Sequence, residues 1–282
     1  MDISQLQMEL STLDEVPPLE GNRYAECAET FEAASNQRPS MLAWLREHLV
    51  SALPEDRASV LSVGSGSGVF DGHFLGSIRS TVREISYVGI DPNPHQCRRF
   101  TQQLASRADD RVRVGVYAAD FENHPFRERF DLVHMTHSLY YMDEPAQTLE
   151  SALGLLKDGG RLIVFLAPNG ILNQLADEFW SLERGRRSWF SEDLEYHMEE
   201  QNIPFEKARI DAKLDVSACF EDGSEEGARI VDFIAQVETD GLPDRLRAMI
   251  VEYLQRIATY DGRGYWLPHP VDAFSIESDA VD

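Results

Sequence analysis

Ala58-Ser-Val-Leu-Ser-Val-Gly-Ser-Gly-Ser-Gly-Val69 is an apolar run that ends in three glycines at alternate positions. Val60, Leu61 and Val63 read as a buried strand. Gly64, Gly66 and Gly68 let the backbone turn sharply and pass close to a ligand where a β-carbon would clash. A pyrophosphate-binding loop wants glycine at its first, third and sixth positions, but the sixth position here is Val69, so the spacing is G-x-G-x-G. The stretch predicts a cofactor loop between a strand and a helix, for a ligand without a pyrophosphate.

This loop resembles the first motif of the S-adenosylmethionine-dependent methyltransferases, and the chain that follows agrees with it. Tyr87-Val-Gly-Ile-Asp91 is a second apolar strand ending in an acid, stopped by Pro92-Asn93-Pro94. A carboxylate there can accept hydrogen bonds from both hydroxyls of an adenosine ribose, so Asp91 is the expected ribose ligand. Val112–Tyr117 is a third strand, leading to Asp120, which either reaches the adenine or caps the turn at Phe121. Phe130–Met135 is a fourth and Gly160–Leu166 a fifth, the latter after a tight turn at Leu156–Gly160. Strands alternating with helix-length segments predict an α/β fold, a doubly wound parallel sheet with ligands at the carboxyl ends of its strands.

The chain has 282 residues, 43% of them hydrophobic, which is enough for one α/β body with additions. Its formal charge of −23 disfavours nucleic acid as a partner, because holding a phosphate backbone takes clustered cations. Lysine occurs only at positions 157, 207 and 213, the other basic residues being arginine. Cys27, Cys97 and Cys219 have no metal-ligand spacing and are odd in number, which predicts no metal, no structural disulfide and a reducing compartment. The N-terminus lacks a signal core, and no apolar run approaches the roughly 20 residues of a membrane span, so a cytoplasmic protein is expected.

The remaining segments divide the chain into a polar leader (1–22), an N-terminal helical lid (23–52) broken near Pro39, the cofactor-binding core (53–209), and a substrate cap with a final strand segment (210–282). Helical periodicity in the cap covers Ala228–Glu238 and Leu242–Tyr260. Asp143 and Glu144 are placed to cap a helix starting at Pro145. Trp180, Trp189 and Phe190 follow the fifth strand as core aromatics or a pocket wall, Trp189 being the better wall candidate.

Three stretches taken together resemble histamine N-methyltransferases: Val60–Gly68, the unit Phe130-Asp-Leu-Val-His-Met-Thr-His-Ser-Leu-Tyr-Tyr-Met142 with its continuation to Leu149, and the cap string Asp215–Gly227 with Val231-Asp-Phe233. The similarity extends over most of residues 24–276. It implies a Rossmann-like class I methyltransferase sheet and S-adenosyl-L-methionine as cofactor, with Gly64, Ser65, Gly66 and Gly68 at its methionine part. Asp91 would bind the ribose, Gln96 would also lie against the cofactor, and Asp120 and Thr136 would line the adenine end. For the acceptor the resemblance implies Tyr140, Tyr141 and Phe233; Tyr24 and Phe31 of the N-terminal helix pair are further acceptor candidates, and Trp189 is read as a wall. Where that family carries acids, an active-site glutamine and an asparagine, this chain has Gln37, Gln236, His137 and His269. Charge-assisted hydrogen bonds are about twice as strong as neutral ones, so exchanging carboxylates for amides weakens preference for a cation. The expected acceptor is a small amine or amino-acid-like molecule, not histamine itself, and a Gln37→Glu change is the matching test. His137, with Tyr140 and Tyr141, is the catalytic candidate, either as the group that takes the ammonium proton or as a lining residue. A monomer would supply every wall. The alternatives are a cofactor-binding pseudoenzyme and a nicotinamide-dependent oxidoreductase.

Overall fold

The computed structural model describes residues 3–10, 12–13, 16–170, 172–177 and 188–278. Trp180 lies outside these residues. The described chain forms two compact units, one drawn from Met1–Arg38, Pro168–Ser188 and Asp211–Pro270, the other from Pro39–Ala167, Trp189–Ile210 and Val271–Asp282.

The second is the sheet unit. Its strands are β1 (Arg57–Val63), β2 (Glu84–Asp91), β3 (Val112–Ala118), β4 (Phe130–Thr136), β5 (Leu156–Leu166), β6 (Glu206–Ile210) and β10 (Val271–Glu277), ordered β3-β2-β1-β4-β5-β10-β6. β1 to β5 pair in parallel, as the alternating pattern predicts. β10 runs antiparallel to both β5 and β6, so the sheet is mixed, not wholly parallel. Helices α4 (Val69–Ile78), α5 (Pro94–Ala105), α6 (Pro145–Gly154) and α8 (Ser191–Glu200) accompany it, together with most of α3 (Gln37–His48). Val60, Phe74, Tyr87, Phe100, Leu132 and Phe165 belong to one buried cluster, which removes the apolar face of each strand from water.

Several local expectations change. Leu156–Gly160 is not a separate turn but the bulged start of β5, where the pairing register with β4 shifts between Phe130 and Leu132 and Gly159 takes φ +70°. The break between α2 (Gly21–Ala33) and α3 falls before Gln37, and Pro39 sits in the first turn of α3, where its missing N–H costs no helical bond. Glu144 occupies the N-cap of α6 without a side-chain capping bond among the described residues; Glu122 instead accepts from the Glu144 N–H and the Thr148 hydroxyl.

The other unit holds α1 (Ile3–Leu10), α2, a helical stretch at 172–177 (α7), α9 (Glu225–Ala235), α10 (Asp244–Ile257) and a small sheet ordered β7-β9-β8, from Lys213–Asp215, Tyr265–Pro268 and Thr259–Tyr260. The segment read as a leader thus contains a helix, whose Leu6 is fully buried. The cap helices are shorter than their periodicity suggests. Gln236 ends α9 in the left-handed conformation at φ +59°, and Thr259–Tyr260 is strand. Among the described residues no helix is long and apolar enough to cross a membrane, and no group of acids, histidines and cysteines could hold a metal ion.

Candidate active site

In the sheet unit the loop after β1 has Gly64, Gly66 and Gly68 at φ +66°, +54° and +73°. A side chain at Gly64 would put its β-carbon 2.3 Å from that of Ser138, and one at Gly68 would come within 2.7 Å of the Phe100 ring. Ser138 is fixed there because its hydroxyl donates to the Val63 carbonyl at 2.8 Å. The glycines therefore let the loop sit directly on the end of β4 and on α5. At Gly66 the β-carbon direction is open within 4 Å, and its N–H donates 2.9 Å to Asp91 Oδ2.

Asp91 ends β2 with its other oxygen accepting from the Asn93 N–H at 2.9 Å. A carboxylate offers about four lone-pair sites, so two backbone bonds leave room for two hydroxyls. Burial raises the Asp91 carboxyl above its ordinary value, opposed by the bonds from Asn93 and Gly66. Asn93 also starts the next helix, since its side chain accepts from the His95 and Gln96 N–H groups and caps α5, with Pro94 as the first helical residue. That cap was readable as a helix start. Among the described residues, neither Ser65 Oγ nor Gln96 Oε1 has a hydrogen-bond partner, although both atoms are buried. Orphaned polar atoms beside an open glycine and a carboxylate with spare acceptor sites fit the amino-acid and ribose parts of S-adenosylmethionine.

Asp120 is exposed at the end of β3, and its side chain makes no capping bond to the turn at Phe121 among the described residues. Thr136 ends β4, with its hydroxyl 3.2 Å from His134 Nδ1. His134 belongs to a buried group that the sequence did not reveal: its Nε2 lies 3.0 Å from the Tyr87 hydroxyl and 3.3 Å from Asp71, which accepts from Tyr87 at 3.0 Å. Burial first, then the Asp71 charge and hydrogen bond, push the Tyr87 hydroxyl well above its ordinary value, so it stays a donor.

The adjacent tyrosines after β4 separate. Tyr141 is 41% exposed, whereas Tyr140 is buried, with its oxygen 3.0 Å from His137 Nδ1 and accepting the Ala167 N–H at 2.6 Å. His137 itself has φ +53°, a conformation that costs a side-chain-bearing residue about 1–3 kcal/mol and has to be over-determined by its surroundings. Trp189 stands apart from these groups: it packs on His197 at 5.2 Å and lines a shallow groove with Asp193, Tyr196 and Glu200 of α8. Phe190 is core, 1% exposed.

In the other unit four of the residues expected at the acceptor, Tyr24, Phe31, Phe233 and His269, lie together. Tyr24 and Phe31, two turns apart on α2, flank Phe233 of α9 with ring centroids 5.6 and 4.6 Å away, and Phe31 meets the edge of His269 at 5.0 Å. Beside Phe233, Asp232 accepts from Arg23 through one oxygen and from the Thr239 N–H and hydroxyl through the other. Gln236 folds back, donating to the Phe233 carbonyl at 2.6 Å.

Gln37 is 3% exposed and its amide nitrogen donates to the carbonyls of His269 (2.8 Å) and Pro270 (3.3 Å). It clamps the turn at residues 269–270, so a Gln37→Glu change does more than add a charge. It aims a carboxylate at two carbonyl oxygens, and we expect a loss of roughly 2–4 kcal/mol in a urea denaturation series.

His269 Nδ1 lies 2.8 Å from the Ser35 hydroxyl, and burial lowers the imidazole from its ordinary 6.5 to about 4. Between those values the unfolded chain takes up a proton that the folded one refuses, so this stability is complete above the ordinary value and is lost as pH falls toward 4. Wild type should lose about 2 kcal/mol more than His269→Gln between pH 7 and pH 5 in thermal melts.

Known proteins agree with this geometry. A family model described as a methyltransferase domain matches residues 61–162, from β1 to β5. Over 257 residues the chain is 23% identical to histamine N-methyltransferase of Bos taurus, covering 83% of this chain and 88% of that one. The Danio rerio enzyme of the same name is 20% identical over 262 residues, covering 83% and 87%. In structure the chain is similar to the plantazolicin methyltransferase BpumL in complex with S-adenosylhomocysteine, with a TM-score of 0.53 at 11% identity over 96% of this chain and 93% of that one. A strand–glycine loop with orphaned polar atoms, an acid at the end of β2 and these similarities lead to one assignment: the chain is an S-adenosylmethionine-dependent methyltransferase, similar over most of its length to the histamine N-methyltransferases.

Proposed function

We propose that the chain moves the methyl group of S-adenosylmethionine to the nitrogen of a small amine or amino-acid-like acceptor, one in which a carboxylate or amide replaces part of histamine's positive charge. The observation that carries this reading is the cluster of Tyr24, Phe31 and Phe233 beside a His269 that burial keeps neutral at pH 7. Aromatic faces suit the body of a small amine and the cationic group it carries before deprotonation. The neighbouring carboxylate, Asp232, is already neutralised by Arg23, so it offers little to a second cation. A net charge of −23 also favours a small molecule over nucleic acid.

When bound, S-adenosylmethionine supplies an electrophilic methyl on a sulfonium. The chain's own work is to hold the cofactor through the Gly64–Gly68 loop and Asp91 and to orient the acceptor nitrogen. Orientation contributes up to about 7–11 kcal/mol, whereas a general base contributes about 10²–10⁴-fold, or roughly 3–5 kcal/mol. Positioning dominates, and the ammonium proton leaves to water before attack.

A panel of amines, amino acids and their amides, incubated with the protein and S-adenosylmethionine and read by mass spectrometry, tests the reading. A product one methyl heavier from an amine that carries a carboxylate or amide is expected, and Phe233→Ala should weaken it. Cofactor binding with no product across the panel would overturn the reading in favour of a pseudoenzyme.

A further inference from the structure

Asp71, Tyr87 and His134 form a polar group inside the apolar core of the sheet unit, one residue from each of α4, β2 and β4, and none is more than 3% exposed. The Tyr87 hydroxyl donates to Asp71 Oδ1 at 3.0 Å and lies 3.0 Å from His134 Nε2, which is itself 3.3 Å from the same carboxylate oxygen. The rings of Phe70 and Phe74 stand 6.3 and 5.9 Å from the imidazole, and that of Phe100 stands 6.3 Å from Tyr87. Removing a carboxyl and an imidazole from water is costly, and well-packed apolar residues of similar volume are commonly as stable in such a place or more so. Packing alone therefore does not account for the group.

Its one outward bond does. Among the described residues the side-chain hydrogen bonds of Asp71, Tyr87 and His134 run to one another with a single exception: His134 Nδ1 lies 3.2 Å from the Thr136 hydroxyl. The three elements that hold the group also carry the cofactor positions. Helix α4 starts from Gly68, the last glycine of the loop, with Asp71 in its first turn; β2 ends at Asp91 and β4 at Thr136. His134 and Thr136 are two residues apart on β4 and so share a face of the sheet. A threonine carries its hydroxyl and methyl on one β-carbon, and a rotation of about 120° exchanges their places. The bond to His134 selects one rotamer, whichever of Nδ1 and Oγ1 supplies the proton.

We infer that Asp71, Tyr87 and His134 are positioning residues: they fix the Thr136 hydroxyl in one rotamer at the carboxyl end of β4, as a polar contact for bound S-adenosylmethionine. Every link is a direct bond between side chains. Asp71 and Tyr87 orient the imidazole, and the imidazole orients the threonine. The carboxyl end of a central strand is where ligands meet a sheet of this kind, so a rotamer fixed there bears on cofactor affinity. The inference rests on the cofactor assignment and needs no particular acceptor.

A double-mutant cycle tests this, read by calorimetric titration of the full-length protein with S-adenosylhomocysteine. Thr136→Val keeps the shape and removes the hydroxyl, so it should weaken binding about tenfold, the equivalent of one net hydrogen bond, while Thr136→Ser should stay within about threefold of wild type. Tyr87 is fully buried and cannot touch a ligand. Tyr87→Phe should nevertheless weaken binding by about threefold to tenfold on its own, and by less than about twofold in the Thr136→Val background. Should Tyr87→Phe not fold, His134→Gln, which keeps a polar end for Tyr87 but has no counterpart of Nδ1, takes its place in the cycle. An equal effect in both backgrounds would mean that the group acts on the fold alone, and overturns the proposal. So does a Thr136→Val protein that binds as tightly as wild type, or a Thr136→Ser protein that binds no better than Thr136→Val. These titrations contain no acceptor and need no turnover, so failure of the small-amine reading leaves them unchanged.

Discussion

Gly64→Ala should lower the stability of the protein by about 2–5 kcal/mol and abolish measurable cofactor binding with it. Two costs add. The residue is held at φ +66°, where an L side chain pays roughly 1–2 kcal/mol. Its new β-carbon would lie 2.3 Å from the β-carbon of Ser138 and 3.0 Å from the hydroxyl, so the serine has to leave the Val63 carbonyl it bonds. Forced displacement in a packed site costs about 1–3 kcal/mol more. Thermal unfolding checks the first part of the expectation, and Ser138→Gly in the Gly64→Ala background should recover much of the loss. Gly66→Ala makes the contrast: it faces open space within 4 Å, so it should cost stability only its backbone strain, roughly 1–2 kcal/mol, yet reduce affinity for S-adenosylhomocysteine strongly in calorimetric titration. Equal effects at the two positions would contradict the assignment of that space to the ligand.

Asp91→Ala should weaken S-adenosylhomocysteine binding by at least about a hundredfold. Each bond from a neutral hydroxyl to an ionised carboxylate is worth roughly 1.5–3 kcal/mol, and two are lost together. The Gly66 N–H loses its 2.9 Å partner as well, which loosens the loop on the same side of the ligand. Asp91→Asn keeps the shape and one acceptor oxygen, so an intermediate loss is expected. Because burial raises the Asp91 carboxyl, opposed by Asn93 and Gly66, wild-type affinity should begin to fall with decreasing pH above the ordinary aspartate value of 3.8. Asp91→Asn should show no such fall.

The five parallel strands were legible because each is a short apolar run closed by a glycine, an acid or a polar turn, and after β1 to β4 the expected cofactor contacts lie at or just beyond that closure. β10 was not legible as an inner strand. Asp272 and Ser275 interrupt its apolar pattern, and both become intelligible only beside β6 and α8, to which Asp272 is joined through Arg209 and Ser191. β6 itself reads Glu-Lys-Ala-Arg-Ile, a surface pattern with one buried residue. Helix α1 hides in a polar segment because its amphipathic signal is carried by few side chains, Leu6 foremost. At the site, chemical type was readable and partnership was not. Gln37 looked like a ligand for substrate, but its donors go to carbonyls 232 and 233 residues away. Tyr140 and Tyr141 are neighbours in sequence with opposite fates, since a single 3₁₀ turn buries one and exposes the other.

Transfer of a methyl group to the nitrogen of a small acceptor is decided by the ¹³C spectrum of the product formed from S-adenosylmethionine labelled with ¹³C in its methyl group and an ¹⁵N-labelled acceptor from the panel. A new methyl carbon coupled to nitrogen, on a small molecule that also carries a carboxylate or amide, is the expected result. A methyl bound to oxygen or sulfur, or label found only on a macromolecule, would contradict it.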